Sequence, residues 1–470
     1  MSKPPGRWLA LCAGLVVAGA PLRALADDEA EGFSHTPPRL ALVEGGVSFW
    51  RPGMEDWTPA RVNVALAAGD ALLGGDDARL ELQVGPRAFV HAGEETRLGL
   101  VRLDADALWL HLDAGTVSLD LPDLAAGQHL EVGTPHATLR VERSGYYRVE
   151  VDGDASRFTS RRAGHASVTL AAGAPVALRA NEQLVVMGTE PPVSEAAPAP
   201  DAWDRWSFAR TDELLDPPSE QYLAGGIYGA ADLDRHGTWR VVPSYGAVWL
   251  PHHVRVGWLP YSTGRWLSDP WYGWTWVDDA PWGWAPFHYG RWVWVSGYWA
   301  WCPGPIGVRP WYAPALVAFP RPSGAGLGVR SGPPTVRWVA LGWGEPLTPW
   351  WGPPSFRRHA HWAGWGGPRL VNGIVVRHGT VYPAHGIQRY QNAGLRSALV
   401  EVGREGFGLW SSPSARRAPF GGALERVEPP QARPGPPVRQ PGVVPGLSGN
   451  PLQRGAPAGR RGLGGGRSGR

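Results

Sequence analysis

Along the first part of the chain, apolar and polar residues alternate with a period of two. Leu80-Glu81-Leu82-Gln83-Val84 shows the pattern, as do Leu108-Trp109-Leu110-His111-Leu112, Val117-Ser118-Leu119-Asp120-Leu121 and Tyr147-Arg148-Val149-Glu150-Val151. Successive side chains of a strand point to opposite faces, so the alternation predicts half-buried antiparallel strands. Gly74-Gly75-Asp76-Asp77, Asp152-Gly153-Asp154 and Ala171-Ala172-Gly173 supply turns between them. Many short strands at this spacing predict a β-sandwich or barrel over residues 40–188, a length of about 150 that suits one domain. Residues 189–200 read as an exposed Pro/Ala linker. Asp201 is placed to cap a short helix running to about Leu215, which Pro217-Pro218 ends.

The pattern then changes to a repeat. Fourteen of the 27 tryptophans fall between Gly237 and Trp311. Gly257-Trp258-Leu259-Pro260-Tyr261-Ser262-Thr263-Gly264-Arg265-Trp266 aligns without gaps on Gly283-Trp284-Ala285-Pro286-Phe287-His288-Tyr289-Gly290-Arg291-Trp292, at an offset of 26. Gly237-Thr238-Trp239 begins an earlier copy, and Tyr245-Gly246 lies 27 residues before Tyr272-Gly273. Three units therefore start near Gly237, Gly264 and Gly290, each one small element that stacks on its neighbours. Proline and glycine forbid long helices, so each unit is expected to be two short strands with tight turns. In Trp274-Thr275-Trp276, Trp282-Gly283-Trp284, Trp292-Val293-Trp294 and Trp299-Ala300-Trp301, strand geometry would put both rings on one face. The stretch from Val336 to Trp343 and Gly373-Ile374-Val375-Val376 predict further strands, giving a second β domain over residues 201–408. Residues 411–470, rich in Pro, Gly, Ser and Arg, cannot bury enough apolar surface to fold and are expected to be disordered. The fold class expected is all-β.

The N-terminus changes the setting. Lys3 and Arg7 precede an apolar run from Trp8 to Ala20, and Ala24-Leu25-Ala26 forms a small-residue cleavage site. These are the parts of a signal peptide over residues 1–26, cleaved after Ala26, which places the mature chain in the periplasm or outside the cell. An uncleaved anchor and a lipoprotein signal with Cys12 are the alternatives. The later apolar stretch over residues 291–308 is interrupted by Arg291, Gly297, Pro303, Gly304 and Pro305, so no transmembrane helix is expected in the mature chain. With Cys12 removed, Cys302 stands alone and no intramolecular disulfide forms.

Charge is uneven. Residues 27–200 carry 26 acids against 14 arginines, net −12. Residues 201–428 carry 16 acids and 21 arginines, net +5, and residues 429–470 carry seven arginines and no acid. Export argues against a nucleic-acid partner. An acidic envelope polymer or anionic membrane surface suits the tail better. Lys3 is the only lysine, a bias that reads as codon usage rather than as a demand for arginine stacking.

Several motifs carry a resemblance. Gly69-Asp70 precedes Ala78-Arg79-Leu80-Glu81-Leu82, followed by Val132-Gly133-Thr134-Pro135-His136-Ala137 and Gly145-Tyr146-Tyr147-Arg148-Val149. This order resembles the FecR domain of bacterial envelope proteins. The resemblance implies a periplasmic β domain, which in the founding members relays a transport signal to a cytoplasmic sigma factor. Unlike those members, the chain is expected to have no cytoplasmic N-terminal segment and no internal membrane helix. The repeat region, about Tyr222 to Phe407, resembles an uncharacterised Trp/Pro/Gly-rich family that follows FecR-like domains in Gram-negative bacteria. That likeness implies no activity.

Most of the tryptophans are expected to pack a core in which aliphatic residues are sparse. A minority could stack on sugar rings or prolines. For that role Trp282, Trp284 and Tyr289 are the choice, because Asp278, Asp279, His288 and Arg291 lie nearby as polar anchors. Asp278-Asp279 with Asp269 could form a carboxylate pair for glycoside hydrolysis, but adjacent aspartates in a turn are normally solvated. His252-His253 and His359 with His361 lack metal-site spacing, and no phosphate loop, nucleophile elbow or dinucleotide fingerprint occurs. No catalytic residue, metal or cofactor is expected. The function expected is that of a non-enzymatic envelope protein binding cell-wall glycan or a partner protein. A FecR-type signalling accessory is the alternative, and a cell-wall hydrolase a second one.

Overall fold

The computed structural model describes residues 35–322 apart from 125–126, 171–172 and 189, and then 335–352, 374–377, 380–383, 390–395, 398–409, 416–418 and 424–426. The expected signal peptide and basic tail lie outside the described residues. Strands dominate, as the alternation predicts. Sixteen of them, from Arg39–Glu44 to Val193–Ala196, join in one sheet. Among the described residues its pairings are antiparallel except one, where His129–Gly133 runs parallel to the start of Ala107–Leu121. The two alternating segments at 108–112 and 117–121 are one strand, Ala107–Leu121. It bends at Gly115 (φ 91), where a Cβ would meet the Thr96 backbone. Its first half pairs with Arg97–Leu103 and its second with Gly145–Asp152, so it carries the chain between the two halves of the sheet. The inward residues Leu80, Leu82, Leu110, Leu112, Val117, Leu119, Tyr147 and Val149 form a single core.

The motif residues of this module do structural work. Asp70 is buried against Arg51, with contacts of 2.7 and 2.6 Å, and also accepts from Ala67 N. Thr134 Oγ1 accepts from the amides of His136 and Ala137, closing the turn before Ala137–Val141. Tyr147 Oη bridges Arg143 O, His165 O and His165 N.

The expected spacer contributes the edge strand Val193–Ala196, all of it exposed. Helix α1 (Ala202–Leu214) follows, with Asp201 and Asp204 forming a reciprocal cap. It folds back on the sheet. Asp204 accepts from Tyr146 Oη at 2.7 Å, and Arg210 and His91 share the buried Glu81.

Each of the three repeats contains a β-hairpin. Hairpin A is Gly237–Val242 with Gly246–Pro251, hairpin B is Gly264–Asp269 with Gly273–Asp278, and hairpin C is Arg291–Val295 with Tyr298–Cys302. Pro243 and Pro270 open the first two loops, and Gly246 (φ 76) and Gly273 (φ 67) close them in the left-handed conformation. The third loop is the two-residue turn Ser296-Gly297, with φ of 48 and 94. Every hairpin sets a tryptophan pair directly across its strands: Trp239 with Trp249, Trp266 with Trp276, Trp292 with Trp301. The conserved spacing Gly-x-Trp within this chain now has a reason. A Cβ on Gly237 would overlap the Trp249 indole. One on Gly264 would stand 2.6 Å from Cζ2 of Trp276, and one on Gly290 would stand 2.5 Å from Nε1 of Trp301.

The units do not stack in a row. Hairpins A and C share a four-stranded sheet through Trp249 and Trp301, while hairpin B lies apart from it. Hairpin B is covered on both sides: Trp266 and Trp276 join the aromatic core, and Leu267 and Val277 enter the core of the first module. The predicted later strands are present at Thr335–Ala340, which pairs with Leu399–Gly403, and at Ile374–Arg377. Among the described residues no helix is long and apolar enough to cross a membrane.

Gly237→Ala and Gly264→Ala are each expected to lower stability by about 1–3 kcal/mol through overpacking. Gly307→Ala, where a Cβ meets nothing within 4 Å, should stay within about 0.5 kcal/mol of the parent. Urea unfolding midpoints compare the three.

Candidate functional site

The side chains nominated as a stacking platform lie inside the protein, Asp279 excepted. Trp282-Gly283-Trp284 is not a strand. It is a turn leading into α2 (Ala285–His288), with Pro286 in the first turn. Gly283 is tight against Asp278, where a Cβ would stand 2.5 Å from the aspartate Cβ. Trp282 stacks on Phe287 with ring centres 5.7 Å apart and meets Trp249 at 5.0 Å. Trp284 packs on His288 and Tyr312, and the Arg39 guanidinium lies 5.9 Å above its ring. Tyr289 Oη shares a 2.5 Å hydrogen bond with Thr36 Oγ1. Arg291 donates to the carbonyls of Glu345 and Gly290. These rings serve as core, which corrects the platform expectation. The physical reason is that their module has few aliphatic residues with which to exclude water.

The aspartates are likewise divided. Asp278 is buried and accepts from Ala280 N and Trp276 Nε1, both at 3.0 Å. Burial, aided by the charge of Asp279 and opposed by these two hydrogen bonds, pushes its carboxyl up to about 8. Asp279 faces solvent and pairs with Arg265 at 2.6 Å and Arg61 at 3.6 Å. Asp269 caps its own turn, accepting from the amides of Trp271 and Tyr272. One carboxyl is interior, one is paired at the surface and one is locked in a loop, so they do not face a common substrate space. His288 donates from Nδ1 to Ala313 O, and burial brings its imidazole down to about 4. It is therefore neutral near pH 7. His252 bonds Thr238, and no cluster of metal-ligating side chains occurs among the described residues.

Sequence reasoning missed the contacts that join the two modules. Arg39 reaches Asp232 at 2.8 Å and Gln83 at 2.9 Å. Arg51, already paired with Asp70, donates to Ser268 O and lies 3.8 Å from Asp269. Asn63 donates to the carbonyls of Asp278 and Ala280. Tyr272 Oη donates to His35 O, so the chain entering the first strand is held by the aromatic module. Periodicity contains no signal for such long-range polar pairs.

Where the modules meet, they leave a cleft of about 250 Å³. The turn from Asp104 to Asp106, with Gln128 and His129, forms the wall from the first module. Gly225, Gly226 and Tyr228 form a second wall, and Arg309 and Pro310 a third. His35 and Thr36 also line it. Concave surfaces at domain junctions are a common place for ligands.

Residues 230–347 match a family described as a family of unknown function (DUF6600). The matched segment begins one residue after Gly229 and spans all three hairpins. No curated protein matches the chain. Two crystal structures, at 2.50 and 1.65 Å resolution, each described as a candidate anti-sigma factor from Parabacteroides distasonis ATCC 8503, are similar at 16% and 15% identity with TM-scores of 0.24 and 0.25. The alignments cover 27% and 30% of this chain and 60% and 64% of those chains, less than two thirds of either.

Asp278 sets a pH dependence. Its unfolded carboxyl titrates near about 3.9, whereas the folded one titrates near about 8. Between those values the folded form holds a proton that the unfolded form has lost, so stability falls as pH rises, by about 1.4 kcal/mol per unit at most. Asp278→Asn should raise stability at pH 6 by about 2 kcal/mol, because an amide takes up no proton on folding and so avoids the roughly 3 kcal/mol that the raised carboxyl costs there, against about 1 kcal/mol for the acceptor that the amide nitrogen cannot supply. The same substitution should flatten the slope from pH 6.5 to 8. Urea midpoints across that range test this, and an unchanged slope contradicts it.

Proposed function

We propose that this is an exported, non-enzymatic envelope protein with a binding or scaffold role, recognising cell-wall glycan or a partner protein through the cleft between its modules. The observation that carries this reading is the use of the nominated polar and aromatic groups as structure. Asp278 is neutral in the interior, Asp279 and Arg291 are engaged, and Trp282 and Trp284 are core. The cleft combines two carboxylates, two histidines, a tyrosine and an arginine in one concavity. Such a mixture suits a polar, hydroxyl-rich or peptide ligand.

Retention of the mature protein on purified peptidoglycan is the test. Gly225→Trp, at a position where a Cβ meets nothing within 4 Å, should plug the cleft and abolish retention. Trp271→Ala and Trp294→Ala remove rings that are 50% and 45% exposed, and should leave retention unchanged. Loss of retention in these ring variants but not in the plugged one would assign binding to exposed aromatics instead.

A further inference from the structure

The chain is acidic in front and basic at its end, and the fold described so far leaves that asymmetry unused. Interior acids of the first module are neutralised locally, as with Asp70 by Arg51 and Glu81 by Arg210. Acids at the cleft are less so. Asp106 is exposed and has no ion pair among the described residues, and Asp104 has only the exposed Arg102. Behind Pro86, which also lines the cleft, Arg87 sits among Asp123, Asp216 and Glu220. Burial together with the like charges of Asp216 and Asp234 pushes the Glu220 carboxyl up in spite of Arg87. Around the cleft five acids, Asp104, Asp106, Asp123, Asp216 and Glu220, stand against three arginines, Arg87, Arg102 and Arg309, a net charge of −2, and the lining mixes polar side chains with the rings of Pro38, Pro86 and Pro310. Surfaces of that kind accept extended proline-containing chains.

We propose that the cleft and its acidic rim seat the stretch Arg433-Pro434-Gly435-Pro436-Pro437-Val438-Arg439 of the same chain. This rests on the reading of the cleft as a recognition surface. The acidic partner expected for the tail is then the chain's own first module. Reach permits it. Leu424–Arg426 pairs with Pro320–Pro322, and Pro320 is ten residues beyond Pro310 of the cleft wall, at most about 35 Å of chain. From Arg426 to Arg433 and Arg439 a polyproline rise of about 3.1 Å per residue spans roughly 20–40 Å. A tether of this length holds the segment at an effective concentration on the order of millimolar, so a weak site fills in cis. Proline-rich sequences favour an extended backbone, which lowers the entropic cost of docking. Two arginines flank the proline stretch and face an excess of carboxylates, a contact that salt screens. An external ligand of the cleft must displace this segment.

The full mature chain carrying Val438→p-benzoylphenylalanine tests the proposal by photo-crosslinking and peptide mapping. Crosslinks are expected within one chain, to residues 103–108, 128–130 or 225–228. Their yield should drop several-fold between low and 0.5 M salt, roughly as a contact within a Debye length requires. A similar drop is expected in Asp104→Asn/Asp106→Asn. Crosslinks elsewhere that ignore both changes overturn it, as do crosslinks between chains that grow with protein concentration. So does a tail that crosslinks nowhere on the protein and binds phosphatidylglycerol vesicles instead. Cleft crosslinks without peptidoglycan retention would count only against the glycan reading. Plug-sensitive retention without cleft crosslinks would count only against the tail.

Discussion

A tryptophan pair can close across a two-stranded hairpin only where the neighbouring backbone has no side chain in the way. In all three hairpins glycine meets that condition: Gly237 under Trp249, Gly264 against Trp276, Gly290 against Trp301. The ring edges are held as well. Trp249 donates to Leu233 O, Trp276 to Asp278 and Trp301 to Tyr289 O. An indole confined over its face by backbone and along its edge by a hydrogen bond has little freedom left. Each such ring buries roughly 150–250 Å² of surface, so a few of them do what many aliphatic residues do elsewhere. Tyr261 shows the same economy between repeats. It packs on Phe287, its equivalent 26 residues on, at 4.7 Å and donates to that residue's carbonyl.

From this core follows the union of the two modules. Hairpin B shows its tryptophans to one side, so Leu267 and Val277 need cover on the other, and the first module supplies it. Once that contact is dry, the polar groups caught within it require partners. Arg39, Arg51 and Asn63 find theirs across the junction. The cleft exists because two modules joined in this way do not match completely along their rim. The shape of the cleft is therefore a property of the joined pair.

The repeat and its hairpins were legible in the sequence, because Gly-x-Trp and Tyr-Gly recur at nearly fixed offsets and proline and glycine rule out longer elements. The alternating strands of the first module and the Asp201 cap were legible for the same local reasons. Two kinds of feature were not. A period of two says which residues share a face but not whether that face meets water, so Trp282, Trp284 and Tyr289 could not be told from surface rings when both sides of their module are covered. Around Gly115 one strand reads as two, since the inward positions shift from Leu108, Leu110 and Leu112 to Val117, Leu119 and Leu121, a slip of one residue in the alternation. Partners such as Arg51 and Asp269, or Asn63 and Asp278, are more than two hundred residues apart. Local pattern carries no information across such a distance.

Hydroxyl-radical footprinting of the native protein, read residue by residue by mass spectrometry, bears most directly on the claim that the tryptophans form a closed core. Trp271 and Trp294 should be oxidised readily, while Trp249, Trp266, Trp276, Trp292 and Trp301 stay protected until the protein is unfolded. Oxidation of these five at rates like those of Trp271 would contradict the account.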